Sequence, residues 1–135
     1  MAQRYFTPSE ANELLVEVRP LAESLVQHRQ GMRVAAERRA RLTARIAGNG
    51  GDLDPQEPGE LDEQFERESQ AVAKAAASLQ RLGVLVKDLD RGLVDFPARH
   101  DGEEVLLCWQ LGEDEIGFWH GADEGFAGRK PLPLE

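Results

Sequence analysis

The stretch Leu79-Gln80-Arg81-Leu82-Gly83-Val84-Leu85-Val86-Lys87-Asp88-Leu89-Asp90-Arg91-Gly92-Leu93-Val94-Asp95-Phe96-Pro97 holds the change of period on which the fold turns. Up to Leu82 the apolar residues recur by threes and fours, which is the period of a helix. From Val84 they alternate, which is the period of a strand. Val84–Asp88 and Leu93–Pro97 read as strands joined by a turn at Asp90-Arg91-Gly92, with glycine at the left-handed position. A second turn at Asp101-Gly102 leads into Val105–Leu111, with Val105, Leu107, Trp109 and Leu111 on one face and Leu106 and Cys108 on the other. Ile116–His120 completes a four-stranded antiparallel meander.

Upstream the chain is helical. Thr7-Pro8-Ser9-Glu10 has the form of a capping box with proline at the first helical position. A seam of Leu14, Val18, Leu21, Leu25, His28, Met32, Ala35, Arg39, Leu42 and Ile46 follows. Pro20 is expected to kink or split this helix near Arg19, and Gly31 is a weak point in it. Gly48-Asn49-Gly50-Gly51 ends it, and residues 48–59 read as a mobile loop. Asp52 and Asp54 have the spacing of a calcium loop, but Glu57 stands where that loop needs glycine. The second helix, about Glu60 to Leu82, has the seam Leu61, Phe65, Glu68, Val72, Ala75, Leu79, Leu82.

Laid antiparallel with Ile46 against Leu61, the two seams set Leu42 against Phe65, Ala35 against Val72, and Arg39 against Glu68. This predicts an α+β protein, with a coiled-coil-like helical hairpin over 7–83 followed by a sheet over 84–120 and an irregular tail over 121–135. Arg4-Tyr5-Phe6 is a candidate edge strand, and Leu14, Leu15 and Val18 are free to cover one face of the sheet. The length of 135 residues fits one domain.

The charge excludes some functions. The 25 acids outnumber the 16 basic residues and give a net charge of −9, unsuited to general nucleic-acid or anionic-membrane binding. Arg29, Arg33, Arg38, Arg39, Arg41 and Arg45 form a basic run, but no aromatic residues interleave it to stack bases. The acids Glu60, Asp62, Glu63, Glu66 and Glu68 of the second helix are its expected partners, so neither nucleic acid nor membrane is an expected ligand. The single cysteine excludes an intrachain disulfide framework. No apolar signal core opens the chain, and a cytoplasmic protein is expected.

The chemistry concentrates in Phe118-Trp119-His120-Gly121-Ala122-Asp123-Glu124-Gly125-Phe126-Ala127-Gly128-Arg129. His120 is a candidate acid/base or metal ligand, Arg129 a candidate anion clamp, and Asp95 or Glu124 a supporting carboxylate. Trp119, Gly125, Phe126 and Gly128 would complete a ligand-binding loop, the glycines allowing close approach. Asp95, His100 and Cys108 lie on adjacent strands and are further candidate ligands for a metal shared with His120. Against this stand a tail that packs back on the domain, an inert core thiol at Cys108 and a structural histidine at His28. The sequence names no cofactor and shows no complete catalytic set.

Tyr5-Phe6-Thr7-Pro8-Ser9-Glu10-Ala11, Val94-Asp95-Phe96-Pro97-Ala98, Leu107-Cys108-Trp109, Phe118-Trp119-His120 and Gly125-Phe126-Ala127-Gly128-Arg129-Lys130-Pro131-Leu132 together resemble domain-of-unknown-function family 2203 over essentially the whole chain. The resemblance implies a bacterial cytoplasmic protein and implies no activity. Two functions follow as expectations. The first is a non-enzymatic interaction or scaffolding module, a homodimer or the partner of another protein, associating through helix flanks such as Leu15, Val26 and Val34. The second is a small enzyme or metal- or anion-binding protein with its site around His120 and Arg129.

Overall fold

Thr7 caps the first helix as its sequence predicts. Its Oγ1 accepts the Glu10 backbone N–H at 3.1 Å, and Glu10 Oε1 accepts the Thr7 N–H at 2.9 Å. In the computed structural model, which describes residues 4–48 and 54–134, helix α1 spans Pro8–Ala47 and α2 spans Glu57–Arg81. α1 is not split at Pro20. That residue faces solvent, and Val18, Ala22 and Leu25 on the opposite side are fully buried, so packing holds the helix across the missing donor. α2 starts at Glu57, inside the segment expected as loop. Asp52 lies outside the described residues.

Five strands follow where four were expected: β1 (Leu85–Asp88), β2 (Leu93–His100), β3 (Glu103–Gln110), β4 (Phe118–Gly121) and β5 (Lys130–Pro131). They form one antiparallel meander in sequence order. The fifth comes from the tail, whose glycine- and proline-rich sequence predicts irregular structure. A 3-10 turn at Phe126–Gly128 reverses the chain and seats Lys130 opposite Trp119. A two-residue strand containing proline shows no alternation to read. Arg4-Tyr5-Phe6 forms no strand. Phe6 instead donates one backbone hydrogen bond to Pro97 O, at 2.7 Å.

The hairpin turn at Asp101 and Gly102 has positive φ at both residues (52° and 80°). It sets the ladder that pairs Asp95 with Cys108. Gly92 has φ +63°, and a Cβ there would lie 2.9 Å from Leu111 Cβ and 3.1 Å from Val26 Cγ2, so both conformation and space require glycine. On the inner face, Val94, Phe96, Ala98, Val105, Leu107 and Trp109 pack against Ala11, Leu14, Leu15, Val18, Ala22 and Leu25 of α1. Phe6 meets Phe96 edge-on with ring centroids 5.4 Å apart. Leu15, expected on a free flank, is buried in this layer at 4% exposure.

The hairpin register differs from the one expected. Arg39 does not pair with Glu68; its Nε lies 3.1 Å from Asp62 Oδ1. That partner is six residues earlier in α2, about 9 Å along its axis. Glu68 instead reaches His28 Nδ1 at 3.1 Å and lies against Gly31. Leu42 and Leu61 are buried as expected, but Ile46 is 51% and Phe65 38% exposed, so the distal seam is open. The basic run divides, its first two arginines leaving the expected acids of α2 and the later ones lying beside them. Arg29 and Arg33 reach Asp90 in the β1–β2 turn, at 3.2 and 3.8 Å. Arg38, Arg41 and Arg45 line a cleft with Glu57 and Glu60.

Candidate metal centre

The outer face of the sheet is covered by its own tail, and there three strands bring three donor side chains together. Asp95 on β2 stands opposite Cys108 on β3, and His120 on β4 is opposite Leu106, two residues along. Side chains alternate along a strand, so all three project from the same face. Each is nearly inaccessible: Asp95 2%, Cys108 1% and His120 3% exposed. One ligand atom from each lies within 4.8 Å of the others.

The polar geometry is specific. His120 Nδ1 lies 2.9 Å from the Gly121 carbonyl oxygen. A carbonyl only accepts, so Nδ1 carries the proton and the tautomer is set. His120 Nε2 then faces Asp95 Oδ2 at 3.1 Å, a contact that needs a proton or a cation between the two atoms. Asp95 Oδ1 is buried and has no hydrogen-bond partner among the described residues. Burial, and then the Asp95 carboxylate, push the Cys108 thiol up to about 12.

The set fits a borderline-soft divalent ion. One carboxylate, one thiol and one imidazole are zinc-type donors. A tetrahedron with bonds of about 2.0 Å has edges of about 3.3 Å, close to the Nε2–Oδ2 separation. A metal-bound histidine ordinarily donates its other N–H to a carbonyl or carboxylate, as Nδ1 does to Gly121. With such an ion bound, the three protein donors would leave the fourth tetrahedral position to a ligand. A cavity of about 260 Å³ adjoins the cluster, lined by Lys87, Leu93, Leu106, Ala122, Glu124, Gly125 and Phe126 besides the three donors.

The other candidates fall elsewhere. His100 lies beside Asp101, with Nε2 to Oδ2 at 3.4 Å, and its ring lies 6.0 Å from that of Trp119, away from the cluster. Trp119 alternates with His120 and faces the helix side, under the Lys130 ammonium. Arg129 is not an open anion clamp. Its Nη2 lies 3.0 Å from both Glu113 carboxylate oxygens, and the guanidinium stacks on Phe118 (3.9 Å) and Phe126 (4.6 Å).

Gly128 abuts the protein's own Glu124, not a ligand: a Cβ there would lie 3.0 Å from the carboxylate. Glu124 Oε1 accepts the Gly121 N–H at 2.8 Å and meets Lys130 Nζ at 2.6 Å. These bonds hold the Glu124 carboxyl below the usual carboxylate range. Gly125 and Phe126 do line the cavity.

Sequence reasoning missed three participants: the Gly121 carbonyl, Glu113 and Lys87. The two-residue turn at 101–102 was the available signal for the Asp95–Cys108 pairing. No local signal marks Glu113 as the partner of Arg129.

No helix among the described residues is long and apolar enough to cross a membrane. No curated protein and no solved structure shows a significant match to the chain. The sequence model of the family described as "Uncharacterized conserved protein (DUF2203)" matches residues 4–132, nearly the whole chain, and the chain belongs to that family.

Proposed function

We propose that the protein binds a thiophilic divalent transition-metal ion, zinc by donor chemistry, through Asp95, Cys108 and His120. The fourth position faces the neighbouring cavity. One observation carries the reading: the buried Asp95 Oδ1, without a hydrogen-bond partner among the described residues, beside a histidine whose Nδ1 is committed to a carbonyl. An unsatisfied buried carboxylate oxygen costs about 1–3 kcal/mol or more, and a cation in the cluster would remove that cost. In this reading Asp95, Cys108 and His120 hold the ion, and the ion would polarise an oxygen ligand in the cavity.

The test is metal content and cobalt loading of the intact chain. One zinc or cobalt per chain is expected, with a thiolate-to-cobalt charge-transfer band that Cys108→Ser removes and that His120→Ala weakens. At a hundred times the dissociation constant, the ion should stabilise the fold by about 2.7 kcal/mol. A folded protein that takes up neither metal would overturn the reading.

A second reading rests on the open distal seam. Ile46 and Phe65 are exposed beside a groove lined by Ala36, Ala40 and Leu61. The exposed arginines of α1 and the exposed acids of α2 flank it and are complementary to the same surfaces of another copy. We propose that this end pairs with a second copy of the chain. Light scattering at tens of micromolar should give a dimer mass that Phe65→Glu reduces to a monomer. A monomer mass for the unaltered chain would overturn it.

A further inference from the structure

Lys87 is a solvent-exposed cation on the wall of the cavity beside the cluster. β1 pairs Val86 with Val94 and then Asp88 with Leu93, so Lys87 is the extra residue of a β-bulge. A bulge takes a residue out of the ladder and re-aims its side chain, a device often found beside sites. Lys87 lines the cavity and makes no hydrogen bond or ion pair among the described residues. The acid on the same wall, Glu124, is committed to Gly121 and Lys130. Within the cluster, a divalent ion held by one carboxylate, one thiolate and a neutral imidazole carries no net charge. The cavity's attraction for an anion therefore rests on Lys87.

The remaining lining, Leu93, Leu106, Ala122 and Phe126, is apolar. At about 260 Å³ the cavity is below the roughly 300–1,000 Å³ of sites for drug-sized ligands. We infer that the site takes a small organic carboxylate, with one oxygen on the metal, the anionic charge held by Lys87 and a short hydrocarbon body against the apolar wall. This rests on the metal reading above.

The experiment uses the cobalt-loaded chain, whose visible spectrum reports the fourth ligand. Butyrate should perturb the spectrum saturably, and butyramide at the same concentrations should not. Lys87→Met should weaken butyrate about tenfold or more while leaving cobalt uptake and thermal stability unchanged, and Lys87→Arg should restore part of the response. An equal response to butyrate and butyramide, an unchanged butyrate response in Lys87→Met, or a response to inorganic phosphate alone would each overturn the carboxylate inference and leave the metal site standing. Failure of the unaltered chain to bind cobalt would remove both.

Discussion

The carboxylate of Glu68 lies across the α-carbon of Gly31 and reaches His28 Nδ1 at 3.1 Å. Glycine in a helix interior costs about 1 kcal/mol relative to alanine, yet a Cβ at position 31 would collide with Glu68. The flexible end of Glu68 can move aside, at the expense of His28. Gly31→Ala should therefore stabilise by up to about 1 kcal/mol in a Glu68→Ala background and by clearly less, or not at all, in the unaltered chain. Urea unfolding of the four proteins measures the coupling. Equal effects in both backgrounds would show that Glu68 does not occupy the slot.

The hairpin register is open to the same kind of test. Arg39 and Asp62 should show a coupling of about 0.2–1 kcal/mol in a double-mutant cycle, modest because both are solvent-exposed. Arg39 and Glu68 should be additive. Coupling between Arg39 and Glu68 would restore the register in which Ile46 faces Leu61.

Arg129 and Glu113 clasp the tail onto the outer face of the sheet. Arg129→Ala should cost about 2–3 kcal/mol, since it removes a largely buried ionic hydrogen-bond pair and its stacking on Phe118 and Phe126. Arg129→Lys should recover little, because an ammonium cannot stack between two rings. Limited proteolysis should cut the segment from Ala122 to Gly128 faster in both variants. Full rescue by lysine would show that charge alone holds the tail.

In the metal-free protein, Cys108 should be a poor nucleophile. With the thiol pushed up to about 12, roughly one molecule in ten thousand carries the thiolate at pH 8. A disulfide reagent should label it slowly until the protein unfolds. The native state keeps this proton where the unfolded state loses it. Stability from this group is therefore intact below about pH 9 and falls between pH 9 and 12. Cys108→Ala should flatten that alkaline limb. Rapid labelling of the native protein at pH 8 would contradict the burial.

Glu10 should shape the acid limb. Its hydrogen bonds to Thr7 hold its carboxyl below the usual carboxylate value. The contribution is present above that value and is lost as pH falls through the lowered one. Glu10→Gln should reduce the loss of stability on acidification, and Thr7→Ala should cost about 1 kcal/mol at neutral pH. An unchanged acid limb in Glu10→Gln would show that the capping box does not form.

Local chemistry determined much of this protein. The Thr7–Glu10 capping box, the helical seams, the change of period at Val84 and the glycine turns are each written in a few neighbouring residues. They suffice for two helices and a meander, and for the split of β3 into a Trp109 face and a Cys108 face. Registry between distant elements is of another kind. A seam that repeats every seven residues remains apolar when one helix slides along the other by nearly that amount, so the seams alone did not choose between Asp62 and Glu68 for Arg39.

Burial of α1 on the inner face of the sheet made that choice, together with the Glu68–Gly31–His28 contact. The Asp95–Cys108–His120 cluster depends on tertiary structure for the same reason. Its residues are separated by 13 and 12 positions, and only the hairpin turn, strand parity and the tail folded over the outer face place them around one point and away from water.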